Sequence, residues 1–194
     1  MKEGKYTDEK ILLLKRSLQR AEADYNLLTD VIPVCGKMLR FRWVSLFDGR
    51  FCMPLPDHFE QMPEKIAKVK YISIHRPPVL LSNPGYDENF GFHLLEDVGT
   101  GVDELIGRMQ EAVSSLAPET VFYEKGEVNP EGMEGRWFEY KNFTLDEETY
   151  NMQFVIRADR YLLAGTFNCR MRVYDAWKPL VLKSLAQIKQ GEEA

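Results

Sequence analysis

A chain of 194 residues, 44% apolar and 12% aromatic, is long enough and greasy enough to bury a real hydrophobic core, which excludes disorder outside the termini. A formal net charge of -5 and an isoelectric point near 5.4 lack the basic balance of a nucleic-acid protein. The clustered Arg40, Arg42 and Arg50 lie in alternating strand patterns and read as a solvated face.

In chain order, residues 8–28 form the first predicted helix, with Thr7 at its N-cap. Ile11, Leu14, Leu18, Ala21, Tyr25 and Leu28 recur in alternating steps of three and four, an a/d seam. Such a seam suits packing across the chain's own domain, and equally a second copy (a homodimer) or a partner helix. Leu12, Leu13 and Leu27 widen the apolar surface, and Pro33 closes the segment. The charged start, MKEGKYTDEK, has no apolar signal core, and the apolar run 11–14 is far too short to span a bilayer. A cytoplasmic location without a membrane span is the expectation. Three cysteines, Cys35, Cys52 and Cys169, with no C-x-x-C, read as reduced and mostly buried thiols.

Residues 39–47 and 50–53 flank Asp48-Gly49, a hairpin signal, with Leu39, Phe41 and Trp43 on one face. Pro54 and Pro56 are expected to end the second strand, and a loop carrying His58 and Phe59 runs to Pro63. Residues 70–75 read as a strand with Ile72 and Ile74 on one side, interrupted by Arg76-Pro77-Pro78. Residues 79–81 are extended, Asn83-Pro84-Gly85 is a turn, and in 89–95 Phe90, Phe92 and Leu94 face one way. Thr100 opens a second helix, Asp103 completing a capping box; Val102, Leu105, Ile106, Met109, Val113 and Leu116 make its buried stripe, and Pro118 stops it. Residues 121–127 are a strand and 129–135 a loop.

Three strands and a helix then close the chain over residues 137–188. Tyr150, Met152, Phe154 and Ile156 alternate with polar neighbours, and Tyr161, Leu163, Gly165, Phe167 and Cys169 continue that period. After Asp175 the period becomes helical, with Trp177, Leu180, Val181, Ser184, Leu185 and Ile188 on one stripe. A meander covered by the following helix buries both at once. The fold class expected is α+β, a mostly antiparallel sheet flanked by helices. Residues 1–30 form an extra N-terminal helix, 31–190 a single domain and 191–194 a frayed tail.

This order resembles the PsbP-like superfamily, which includes the DcrB-type bacterial domains and a Ran-binding nuclear import factor. The residues carrying it are Gly49-Arg-Phe-Cys-Met-Pro-Leu-Pro56, Asn89-Phe-Gly-Phe92, and Leu163-Ala-Gly-Thr-Phe167 with the helix around Trp177, Pro179, Ser184 and Leu185. The resemblance implies an α/β/α sandwich and a role in binding proteins, as assembly factors, accessory subunits and secretion-associated chaperones do. The chain has no lipoprotein signal of the DcrB kind. No metal site or Ran-binding surface of the family matches residue by residue, so no family site is carried over.

Catalytic signatures are absent from the sequence. His58, His75 and His93 form no H-x-x-x-H or H-E-x-x-H, and a metal site would have to gather His75, His93 and a carboxylate in space. Cys52 and Cys169 sit in apolar strand patterns, and no serine has a nucleophile-elbow context. Gly99-Thr-Gly101 reads as a helix cap, since Asp103 and Glu104 would repel a phosphate there. The function expected is therefore a non-enzymatic protein-binding module, an adaptor or chaperone-like accessory factor, with no cofactor. Its candidate partner surface is Ile11, Leu14, Leu18 and Tyr25 on the first helix, Arg76, Pro77 and Pro78, and the aromatic loop positions Tyr86 and Phe59. The alternative is a small-ligand or ion-binding domain with a pocket between sheet and helix.

Overall fold

The computed structural model describes residues 25–73, 75–143 and 147–191. Residues 8–24 of the first predicted helix lie outside these. Residues 25–30 are turn rather than the helix's last turn, because side chains there capture backbone donors. The Asp30 carboxylate accepts from the Asn26 N–H at 2.8 Å, and Asn26 Oδ1 accepts from the Leu28 N–H at 3.0 Å.

Strand β1 (Ile32–Val34) turns back on β2 (Lys37–Leu39) as an antiparallel hairpin, with Cys35 (φ 49°) and Gly36 (φ 79°) in the turn. That position makes Cys35 exposed, against the expectation for the thiols; Cys169 is buried and Cys52 intermediate. The expected Asp-Gly hairpin joins β3 (Phe41–Leu46) to β4 (Phe51–Pro56), and positive φ extends over Phe47, Asp48 and Gly49. Pro56 is the last residue of β4, as expected, whereas Pro54 lies inside it. Strand β12 (Lys189–Gln190) pairs with β4 only at Cys52 and Phe51, so the prolines fall where no ladder on that side needs their missing N–H. Leu39 and Phe41 are buried, whereas Trp43 reaches solvent under the Lys189 ammonium, 5.0 Å from its ring centre.

After β5 (Glu60–Gln61) comes helix α1 (Glu64–Lys70), where a strand over 70–75 was expected to begin. Pro63 precedes the helix, Glu64 and Lys68 pair at i,i+4 (2.6 Å), and Ala67 faces inward. Of the two alternating apolar positions in 70–75, Ile72 is 86% exposed and Ile74 lies outside the described residues. Strands β6 (Val79–Ser82) and β7 (Asn89–Glu96), helix α2 (Val102–Leu116), strands β8 (Val121–Val128), β9 (Glu134–Phe143), β10 (Glu148–Ala158) and β11 (Tyr161–Arg170), and helix α3 (Tyr174–Ala186) complete the chain. None of the described helices is long and apolar enough to cross a membrane.

The main sheet is antiparallel throughout, in the order β5-β6-β7-β11-β10-β9-β8. Its first face carries Phe90, Phe92, Tyr150, Met152, Phe154, Ile156, Leu163 and Phe167, all buried under the α3 stripe of Trp177, Leu180, Val181 and Leu185. The small β12-β4-β3 sheet, the β1-β2 hairpin and Leu27 finish that core, as does Phe59, which was expected on a partner loop and instead packs on Phe90 and Trp177. Gly165 is required opposite Phe154, whose ring occupies the space a Cβ would take, and a Cβ at Gly126 would likewise come within 2.8 Å of the Trp137 ring.

Helix α2 covers part of the second face, through Val102 against Val155, Leu162 and Ala164, with Leu105, Ile106 and Met109 half-buried. Its predicted stripe is only half used: Leu116 is 87% exposed. The capping box does not form either, since Gly101 is the N-cap and makes no side-chain cap. Asp103 is drawn away to Arg136 on β9 (2.7 Å), and the Thr100 carbonyl accepts from Arg157 on β10 (2.6 Å). The helix start is thus tied to the sheet by two arginines. These layers make the predicted α+β sandwich.

Candidate functional site

Among the described residues, one concavity of about 500 Å³ lies between α2 and strands β8 and β9, where Asp103, Lys125, Glu127 and Arg136 line it; two others and one buried charge cluster bear on the predicted surface and the polar sheet face. The first of these two, about 580 Å³, lies at the β5-β6 edge between α1 and the segment Arg76-Pro77-Pro78. Its apolar floor is Met62, Ala67 and Leu80, a satellite core held apart from the main one. Pro63 before α1 and the two prolines make rigid walls, and Gln61, Glu64 and Arg76 stand at the mouth. Val69 on α1 and Ile72 after it do not line the groove and are 77% and 86% exposed.

The sequence-predicted residues fall partly here. Arg76, Pro77 and Pro78 line this groove, and Tyr86 packs against the same satellite core. Tyr86 takes φ 58° in the turn after β6, and its carbonyl accepts from the Lys70 ammonium at the end of α1. Tyr25 is apart from them, partly buried against the main core, its carbonyl accepting from Lys183 at 2.9 Å. Ile11, Leu14 and Leu18 lie outside the described residues.

The second of the two, about 310 Å³, sits on the second sheet face between Met109 of α2 and the Tyr71 and Pro77 side. Its floor follows from strand register. Tyr140, Asn151, Asn168 and Asn89 stand opposite one another on β9, β10, β11 and β7, and Phe138, Gln153, Thr166 and Gly91 form the next row. Asparagine is depleted in strand interiors, so three in one cross-strand row need a reason. Asn89 Nδ2 donates to Asn168 Oδ1 (2.8 Å), and Asn168 Nδ2 donates to the Tyr71 hydroxyl (2.9 Å). Gln153 Nε2 donates to the Tyr140 hydroxyl (2.9 Å). Burial raises the Tyr71 phenol and pushes that of Tyr140 up to about 12, keeping both protonated, and burial lowers His93, favouring the neutral imidazole. Sequence reasoning read these positions only as the polar side of each strand. The signal was present as Asn89, Asn151 and Asn168, each on the polar side of its strand, and only pairing aligns them.

The buried cluster lies on the first face near β8. Glu139 is fully buried; its carboxylate accepts from Lys178 of α3 at 2.8 Å and from the Tyr150 hydroxyl at 2.6 Å, and Lys178 also meets Glu124 at 2.6 Å. Desolvation outweighs these partners and raises the Glu139 carboxyl above its usual range. The cluster ties α3 to the sheet.

His58 contacts Asp57, His75 is in the loop after Ser73, and His93 is on β7. Among the described residues no three His, Cys, Asp or Glu side chains gather as a metal site. The Cys169 thiol is pushed well up by burial, away from the thiolate a nucleophile needs.

No family model and no curated protein matches this sequence. Solved structures do match in fold. Cyanobacterial PsbP (CyanoP) from Synechocystis sp. PCC 6803 superposes with a TM-score of 0.57 at 15% identity, over 77% of this chain and 92% of that one. LpqN of Mycobacterium tuberculosis, a protein involved in cell envelope biogenesis, superposes with a TM-score of 0.55 at 9% identity, over 79% and 92% of the two chains. The fold is therefore PsbP-like.

Proposed function

We propose that this chain is a non-enzymatic accessory protein that binds a partner protein at the groove between α1 and Arg76-Pro77-Pro78. The observation that carries the reading is the apolar groove itself, with Met62, Ala67 and Leu80 as its floor and Pro63, Pro77 and Pro78 as its walls. Proline-walled grooves with an apolar floor suit an extended segment that inserts alternate side chains. Kinship of fold with CyanoP and LpqN supports an accessory role without naming the partner. The helix predicted over residues 8–28 is proposed as a second contact, through Ile11, Leu14 and Leu18, either to that partner or to another copy of the chain.

The test is affinity capture from the source cells with the wild type, the double variant Arg76→Glu/Pro78→Glu in the groove lining, and Leu116→Glu as an exposed control elsewhere. A partner retained by the wild type and the control but reduced tenfold or more with the double variant supports the groove. Equal capture by all three removes it.

A further inference from the structure

The polar concavity on the second face has a chemistry that the protein-binding groove does not use. Each of its two phenols already accepts a hydrogen bond from an amide, Tyr71 from Asn168 and Tyr140 from Gln153. Each O–H is therefore left to donate into the space. The amides present the opposite polarity. Asn151 spends an N–H on the Thr149 carbonyl (3.2 Å) and Gln153 an N–H on Tyr140, which leaves their carbonyl oxygens as acceptors. Thr166 adds a hydroxyl on the same floor. No Asp, Glu, Lys or Arg is among the lining residues, so a charged ligand would lose its hydration with no counter-charge to meet it. The walls, Pro77, Met109 and Ala164, offer only carbon and sulfur surface.

We propose that this concavity binds an uncharged carboxamide attached to a flat apolar body. A carboxamide carries a carbonyl for the phenol donors and N–H groups for the Asn151 and Gln153 oxygens on one rigid plane. Its apolar remainder then lies against Pro77 and Met109. A polyol matches less well, because hydroxyls all round its ring would be stranded against those walls. The volume, about 310 Å³, is at the lower end for small-molecule sites and fits one ring with its substituent. The network from Asn89 through Asn168 to Tyr71 fixes the donor before a ligand arrives, which reduces the ordering cost of binding.

The probe is nicotinamide, with nicotinate as its anionic counterpart, titrated into the full chain and followed by two-dimensional ¹H–¹⁵N NMR. Saturable shifts with nicotinamide are expected at the side-chain NH₂ groups of Asn151, Gln153 and Asn168 and at the Thr166 amide, with at least tenfold weaker binding of nicotinate. Tyr140→Phe removes one donor and keeps the ring, and is expected to weaken nicotinamide about fivefold while the rest of the spectrum stays unchanged. Thr166→Val is the second variant if the first disturbs the sheet. Absence of shifts at millimolar nicotinamide, equal binding of nicotinate, or shifts confined to another surface each overturns the proposal.

Discussion

At the scale of single residues, the most informative group is Glu139. It is wholly buried on the first sheet face, so its ionised form depends on Lys178 and the Tyr150 hydroxyl. Lys178→Met keeps the length and apolar stem of the side chain and removes the charge. Near neutral pH it is expected to cost about 3 kcal/mol, because a buried carboxylate is left with a weakened set of partners. The sign of the pH dependence follows from the raised carboxyl. A folded-state pKa above the ordinary 4.5 contributes stability that is complete below 4.5 and is lost as pH rises through the raised value. The Lys178→Met deficit therefore shrinks as pH is lowered toward 4.5, where the carboxyl takes up a proton. Urea unfolding of both proteins at acid and neutral pH measures this, and a deficit independent of pH would refute it. This pair was invisible in the sequence: Glu139 sits between Phe138 and Tyr140 in a strand and Lys178 between Trp177 and Pro179 in a helix, and no local pattern links the two.

At the scale of elements, the three closing strands and their helix were legible because one strong period served each of them. Every residue of the stripe from Trp177 to Ile188 named in the sequence is buried. Helix α2 shows where periodicity stops informing. Its stripe from Val102 to Leu116 is apolar throughout, yet the packing against the sheet runs only from Val102 to Met109 and Leu116 is left in water. Val102→Ala is expected to cost about 1–2 kcal/mol, whereas Leu116→Ser stays within about 0.5 kcal/mol of the wild type. Thermal or urea unfolding compares the two, and equal losses would mean that the whole stripe is covered. Helix α1 was missed for a related reason. Seven residues make a weak periodic signal, and Ile72 imitates a strand position yet is exposed.

At the scale of the whole molecule, one core joins the large sheet, the small sheet and α3, and its reach extends back to Leu27. Any truncation that removes Leu27 removes a fully buried side chain. Deleting residues 1–24 spares it. If the predicted N-terminal seam joins two copies, that deletion is expected to halve the mass in solution while the melting temperature of the remaining chain is kept. Sedimentation equilibrium of both proteins decides it, and an unchanged mass excludes the seam as a dimer contact.

By itself the sequence determined the fold class, the hairpin at Asp48-Gly49, the meander over β9, β10 and β11 and the stripe that seals it, because these rest on local periods and turn chemistry. It also singled out Arg76-Pro77-Pro78, since prolines act on the backbone wherever they stand. Tertiary structure alone decided that Phe59 is core, that Trp43 is not, and that half of α2 faces water. It alone aligned Asn151 and Asn168 in the floor of a cavity, with Asn89 holding Asn168 from the next strand. Strand alternation says which side of a strand is polar. Only cross-strand register, set by contacts between residues far apart in the chain, says which polar side chains become neighbours.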